Sequence, residues 1–377
     1  MGTLFDYIDW RGDITFDELG PCEVDSLILS HISYLDLYKI APASVSAKGV
    51  ELLLAVKKYV NTHKGEGNVV GLIIPPQMIT GAVKAARSKR FGTLRIVGHV
   101  NHVDIDLQEQ FSATTFLMGE DKCFVAFRGT DDTIVGWKES LNMSFMLPIP
   151  AQTEALEYLE SVGEAYPGRK IYVAGHSKGG NLAVYAAVKC RADIKERIVT
   201  AYNLDGPGFD KEFIASQEYL EMRERIRTLI PQSSIVGMLL EHEEHYEVVQ
   251  SNTTGLLQHN GFSWEVMGGR FVHHDSVTAE SKYIDVTLKK WLSEISIEER
   301  KRIIDALYEI LSSTSAKTLT DLSAEKFKVI KAWGTLDDES KKVIKRMVGL
   351  ILKRKIKTEK PEDPEGVKDT EEQVIEE

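Results

Sequence analysis

The stretch IYVAGHSKGGNLAVYAA, residues 171–187, turns an apolar strand into a helix within about two residues and puts a serine at the bend. A turn that sharp brings backbone so close to backbone that side chains beside the bend do not fit, and Gly175 and Gly179 supply the room. Ile171, Tyr172, Val173 and Ala174 read as buried strand, whereas Leu182, Ala183, Tyr185, Ala186 and Ala187 are good helix material. Such a G-x-S-x-G elbow lifts its hydroxyl to the top of a sheet and opens a helix with the N–H groups that follow, so Ser177 reads as a displayed nucleophile. The same residues also allow a plainer reading, in which the serine only caps the helix.

The chain around the elbow alternates in the way a mostly parallel sheet requires. TLRIVGHVNHVDID, QFSATTFLMG, CFVAFRG, KIYVAGHS, IVTAYNLDGPG and RTLIPQS read as strands, and helical runs separate the later ones. This pattern occupies residues 91–286 as a core with helices on both faces. Residues 1–90 read as a mostly helical N-terminal segment, built from VDSLILSHISYLDLYKI and AKGVELLLAVKKYVNTHK, with the short apolar piece VVGLIIPP ended by its prolines. Residues 287–357 form a helical appendage whose start signals are the capping-box pairs Ser296/Glu299 and Thr335/Asp338. From Thr358 the last twenty residues carry nine acidic against two basic side chains and are expected to be disordered.

A lone serine is a poor nucleophile and needs donors for a developing oxyanion. CFVAFRGTDDTIVGWKESL ends a strand at Gly129-Thr130, ahead of the elbow, where the second donor of an oxyanion hole belongs in this kind of fold. The N–H groups of Thr130 and Lys178 are the candidates; a tight turn after an edge strand is the competing reading of Thr130. FVAFRGT with a tryptophan seven residues on, followed by GHSKGGNLA, resembles the class 3 lipases of the α/β-hydrolase superfamily, and most closely a bacterial branch described only as lipase-like. The resemblance covers roughly residues 91–265. It implies an α/β-hydrolase core, Ser177 as nucleophile, Thr130 and Lys178 as the oxyanion hole, and a late histidine as base, which falls on His259 in LLQHNGFSW.

The order of the triad in this superfamily, serine then acid then histidine, leaves His242, His245, His259, His273 and His274 as bases. His259 leads because its stretch is loop-like and glycine-flanked, whereas His242 and His245 lie at a helix-to-strand boundary. The acid departs from the family. Where class 3 lipases carry an aspartate, in a D-x-V-P segment, PQSSIVGML offers Ser234, which supplies no charge to an imidazolium. Asp205 in YNLDGPG is the replacement candidate, one strand after the elbow at the carboxyl edge of the sheet, with a turn-forming role as its alternative and Glu241 and Glu243 as the next carboxylates.

The remaining features narrow the class. Cys22, Cys123 and Cys190 are widely spaced and odd in number, which suggests no disulfide framework and a cytoplasmic home. HEEH, residues 242–245, lacks the three-residue separation of H-E-x-x-H, so no metal is expected there, and no cofactor is implied anywhere. A formal charge of -11 argues against nucleic acid as a partner, and no secretory leader or membrane span is legible. SKKVIKRMVGLILKRKIK, residues 340–357, sets apolar residues at helical spacing among eight lysines and arginines. It reads as a packing helix or as a weak contact with an anionic membrane surface. The function implied is hydrolysis of a small acyl ester or lipid-like substrate through an acyl-enzyme at Ser177. Thioester or amide hydrolysis by the same groups is one alternative, and an impaired hydrolase-fold binding module is the other.

Overall fold

The computed structural model describes residues 1–45, 48–63, 75–131, 133–242 and 244–312, together with 318, 333, 334, 338, 341, 342 and 345. Among the described residues five helices open the chain: α1 (Leu4–Arg11), α2 (Glu23–Ile32), α3 (Leu52–Thr62), α4 (Gln77–Arg87) and α5 (Lys89–Gly92). The main sheet contains β1 (Val50–Glu51), β2 (Arg95–Asp104), β3 (Glu109–Met118), β4 (Lys122–Phe127), β5 (Lys170–His176), β6 (Ile198–Leu204), β7 (Ile226–Pro231) and β8 (Tyr246–Val249). A small hairpin of β9 (Val266–Met267) and β10 (Arg270–Phe271) then leads to β11 (His273–His274), the far edge strand beside β8.

Sheet order follows chain order, β1-β2-β3-β4-β5-β6-β7-β8-β11. From β4 to β8 every pairing is parallel and the outer pairings are antiparallel, and β5, which leads into the elbow, is the middle strand of the sheet. The first three crossovers between the parallel strands are helical: α6 (Ile134–Asn142) and α7 (Pro150–Ala165), then α8 (Lys178–Lys189) and α9 (Ala192–Lys195), then α10 (Lys211–Ile214) and α11 (Gln217–Met222). A mostly parallel sheet with flanking helices is the α/β-hydrolase-like arrangement the sequence implies.

Period-two alternation decides which helices cover which face. Along β4, Phe124 and Ala126 join the cluster that contains Leu27 and Leu29 of α2, while Cys123, Val125 and Phe127 join the one that contains Leu159 of α7 and Leu182 of α8. The N-terminal helices therefore form one covering layer, and α2 is buried along its whole length. The run 24–40 stops being helical at Ile32, because tertiary hydrogen bonds draw the chain onto β2: the Leu37 N–H donates to His99 Nε2 (3.1 Å) and the His99 N–H to Pro42 O (2.8 Å).

Beyond the sheet, α12 (Ala279–Glu294) and α13 (Ile297–Ser312) carry the chain to the end of its continuous described part. The Ser296/Glu299 capping box forms, with the Ser296 N–H on Glu299 Oε2 (2.8 Å) and the Glu299 N–H on Ser296 Oγ (3.1 Å). Helix α13 rests on α6 through Lys138 Nζ to Asp305 Oδ1 (2.8 Å) and on the turn after α6 through the Arg300 guanidinium on Ser144 O (2.7 Å). The Thr335/Asp338 pair and the basic run 340–357 lie largely outside the described residues, and VVGLIIPP (but for its prolines) and the acidic tail wholly so. No helix among the described residues is long and apolar enough to cross a membrane.

Candidate active site

Ser177 follows β5 with φ +58° and ψ -133°, a left-handed conformation that a serine adopts only when its surroundings impose it. The glycines show what imposes it. A Cβ on Gly175 would lie 2.1 Å from the backbone of Gly179, and one on Gly179 would lie 2.2 Å from Phe127 O at the end of β4. Helix α8 therefore starts in contact with the strand before it, and Lys178, at its first position, has an N–H with no intrahelical acceptor.

The loop after β4 lies against the elbow: a Cβ on Gly129 would stand 3.1 Å from Ser177 Cβ. Thr130 is fastened to α6 by its hydroxyl, which donates to Ser140 Oγ (2.5 Å) because Ser140 gives its own hydrogen to Gly136 O (2.9 Å). Asp131 braces the same loop by accepting from Arg128 (3.0 Å) and from the Thr133 N–H (2.9 Å). The tryptophan of the motif, Trp137, is exposed on α6.

Asp205 and His259, far apart in sequence, meet at the same edge. His259 Nδ1 lies 2.6 Å from Asp205 Oδ2, and since a carboxylate only accepts, Nδ1 carries the hydrogen and Nε2 is left as an acceptor. Asp205 is fully buried at φ +53°, its N–H on Leu229 O (2.8 Å). Its other oxygen, Oδ1, accepts the Ser234 hydroxyl (2.5 Å) and the Gly237 N–H (3.2 Å). Ser234, expected from the sequence where class 3 lipases carry an aspartate, thus orients the carboxylate that arrives from the neighbouring strand. Nothing in the sequence signals that contact, which depends on β6 and β7 being adjacent.

Of the other candidates, His242, His273, His274 and Glu241 are engaged elsewhere. His242 is held between Glu244 (2.9 Å) and Gly237 O (2.9 Å), His273 pairs with Glu247 (3.4 Å), the ring of His274 bonds Ser276 O (2.8 Å), and His245 is exposed. Glu241 pairs with Lys289 (3.3 Å), and Glu243 lies outside the described residues.

Two histidines unused by the sequence reading pack behind His259. His176 donates from Nε2 to His259 O (2.8 Å), with the two rings 4.6 Å apart, which brings the base candidate alongside the serine's own neighbour. His31, from the wholly buried α2, stacks on Phe262 at 4.6 Å and meets the His176 ring at 5.4 Å. Burial first, then the proximity of His259, pushes the His31 imidazole down to about 3, and the same causes hold His176 well below the ordinary range. A histidine inside the apolar run LILSHI is the one hint the sequence carries of this stack.

The depressed His31 value has a consequence for stability. Between the unfolded value near 6.5 and about 3 the unfolded chain binds a proton that the folded one refuses, so stability is present above pH ~6.5 and is lost as pH falls. Urea unfolding is expected to show His31→Gln losing less stability than the parent between pH 7 and pH 4, by roughly 3 kcal/mol. Parallel stability curves for the two proteins would overturn it.

Lys178 does more than present an N–H. Its side chain is buried, with Nζ on Glu139 Oε2 (2.6 Å) and Gln110 O (2.6 Å). Glu139, on α6 and fully buried, also accepts from the Gln110 N–H (3.1 Å) and, at the start of α7, from the Ala151 N–H (3.0 Å). One ion pair thereby joins the elbow, the loop helix, β3 and α7.

A mostly parallel sheet with a strained serine elbow at its centre and a carboxylate-bound histidine at the same edge defines an α/β-hydrolase-like fold. The chain belongs to the Mbeg1-like family, whose model matches residues 85–309. Sequence comparison with curated proteins found no match. Structures similar to this one include a fungal lipase–inhibitor complex solved as a model for interfacial activation (17% identity, 42% of this chain and 67% of that one, TM-score 0.34). Others are the native propeptide complex of Rhizomucor miehei lipase (18%, 42% and 57%, TM-score 0.32) and a mutant form of MDLA from Penicillium cyclopium (10%, 68% and 87%, TM-score 0.36). The chain spans little more than half of the Rhizomucor lipase chain.

Proposed function

We propose that this protein is a serine hydrolase that cleaves carboxylic esters of small or lipid-like acyl groups, a cytoplasmic member of the bacterial lipase-like branch. The observation that carries the reading is the His259 Nδ1 contact with Asp205 Oδ2 at 2.6 Å, on a histidine whose carbonyl is bound by the residue preceding the elbow serine. With Nδ1 occupied, Nε2 is the basic nitrogen. It takes the proton of Ser177 as Oγ attacks the ester carbonyl, then returns it to the leaving alkoxide. The N–H groups of Thr130 and Lys178 receive the oxyanion, each contributing roughly 3 kcal/mol to lowering the barrier. Water activated at Nε2 then releases the acyl group. The three unpaired thiols of Cys22, Cys123 and Cys190 suit a reducing compartment.

A fluorophosphonate is expected to label the parent rapidly and the Ser177→Ala variant not at all, and nitrophenyl esters of graded chain length should be turned over only by the parent. Equal labelling of both proteins would remove Ser177 from the mechanism. Turnover confined to thioesters or amides would redirect the substrate class, and labelling without turnover of any acyl compound would favour a binding module.

A further inference from the structure

We propose that His102, Glu109 and Glu154 form a binding site for a single divalent transition-metal ion of the zinc type. Their candidate ligand atoms all lie within 4.8 Å of one another, the one such group of histidine, cysteine and acidic side chains among the described residues. The fold brings them together from three directions. His102 lies on β2 and Glu109 opens β3; in that hairpin His102 is opposite Phe111 and Asp104 opposite Glu109, so both ligands share the face that α7 covers. Glu154 comes from the second turn of α7.

Glu109 carries the argument. Its side chain is only 3% exposed, yet Oε1 is buried without a hydrogen-bond partner, and the nearest cation candidate, His102 Nε2, stands 3.6 Å from Oε2, beyond hydrogen-bond reach. A carboxylate taken out of water without donors is heavily penalised unless a positive charge meets it, and the second carboxylate, Glu154, adds to the deficit rather than relieving it. A divalent ion answers both. Two ligands held at ~2.1 Å from one ion stand roughly 3–3.6 Å apart, the separation already present between His102 and Glu109. His102 and Glu154 are partly exposed, which leaves an entry route and freedom to close. The donor set selects the ion: an imidazole favours zinc and its neighbours over magnesium and calcium, which prefer oxygen throughout. Bound there, the ion would tie the β2–β3 hairpin to the start of α7, next to Glu139 and the ion pair behind the elbow.

The test uses the full chain, stripped by chelator and titrated with Zn²⁺ near pH 7.5 by calorimetry, with thermal unfolding followed in parallel. One equivalent is expected to bind, to raise the unfolding temperature, and to resist competition by Mg²⁺ at the same concentration. Glu109→Gln and His102→Ala should each weaken binding by at least about tenfold and abolish the thermal shift, and the partly exposed Glu154→Gln gives a third reading should the buried variant misfold. His274→Ala, at an exposed histidine elsewhere, should bind as the parent does. Absence of binding, binding unaltered by the three ligand variants, or equal displacement by Mg²⁺ would each overturn the site. If His102 serves only as a proton-carrying partner of Glu109, the first of these results follows.

Discussion

Asp205→Asn is expected to lower kcat/KM for a short nitrophenyl ester by a factor on the order of 10³–10⁴ while leaving the fold intact. The direction follows from which oxygen is already committed. Both the Ser234 hydroxyl and the Gly237 N–H donate to Oδ1, so in the variant the amide oxygen must take that place and the amide NH₂ must face His259. Two donors cannot face each other, and His259 would present Nδ1 as an acceptor and carry its hydrogen on Nε2, the nitrogen that has to accept the proton of Ser177. The variant also loses the charge that steadies the imidazolium. Ser234→Ala removes one of the two donors and leaves the carboxylate, so it should cost about tenfold at most. Ser234→Asp would instead press a second carboxylate against the buried Asp205 and should destabilise the fold. An Asp205→Asn enzyme within about threefold of the parent would show that the aspartate is only a turn residue.

The elbow and the alternation around it were legible because they are local. Glycine at 175 and 179, an apolar strand and an alanine-rich helix define the turn with no reference to the rest of the chain, and the structure places Ser177 in a left-handed conformation there. The meeting of Asp205 with His259 was readable only as far as chain order goes, since the contact joins residues 54 positions apart. What the sequence withheld are contacts between adjacent strands and between layers. Ser234 looked like a missing acid because its partner follows β6, and the burial of Lys178 depends on α6 folding back over β3. A lysine beside a nucleophile would ordinarily be assigned to solvent. Similarly, the break after α2 comes from β2 and not from any breaker in the run 24–40.

The buried pair of Lys178 and Glu139 gives the second large effect. Taking one partner away strands the other in a place with no water, which typically costs about 3–5 kcal/mol, or on the order of 10 °C in unfolding temperature. The two halves are unequal here. After Lys178→Met, Glu139 still accepts two backbone N–H groups, from Gln110 and Ala151; after Glu139→Leu, the ammonium keeps only Gln110 O and those two N–H groups lose their acceptor. Glu139→Leu should therefore be the more destabilising, and the double variant should lose clearly less than the sum of the singles, since no charge is then left unpaired. Activity is expected to fall with it, because α6 holds Thr130 through Ser140 and Lys178 itself starts α8. Chemical unfolding of the four proteins in the cycle measures the coupling directly. Singles within about 1 kcal/mol of the parent, or losses that simply add, would show that the pair is not what joins the elbow to the loop beside it.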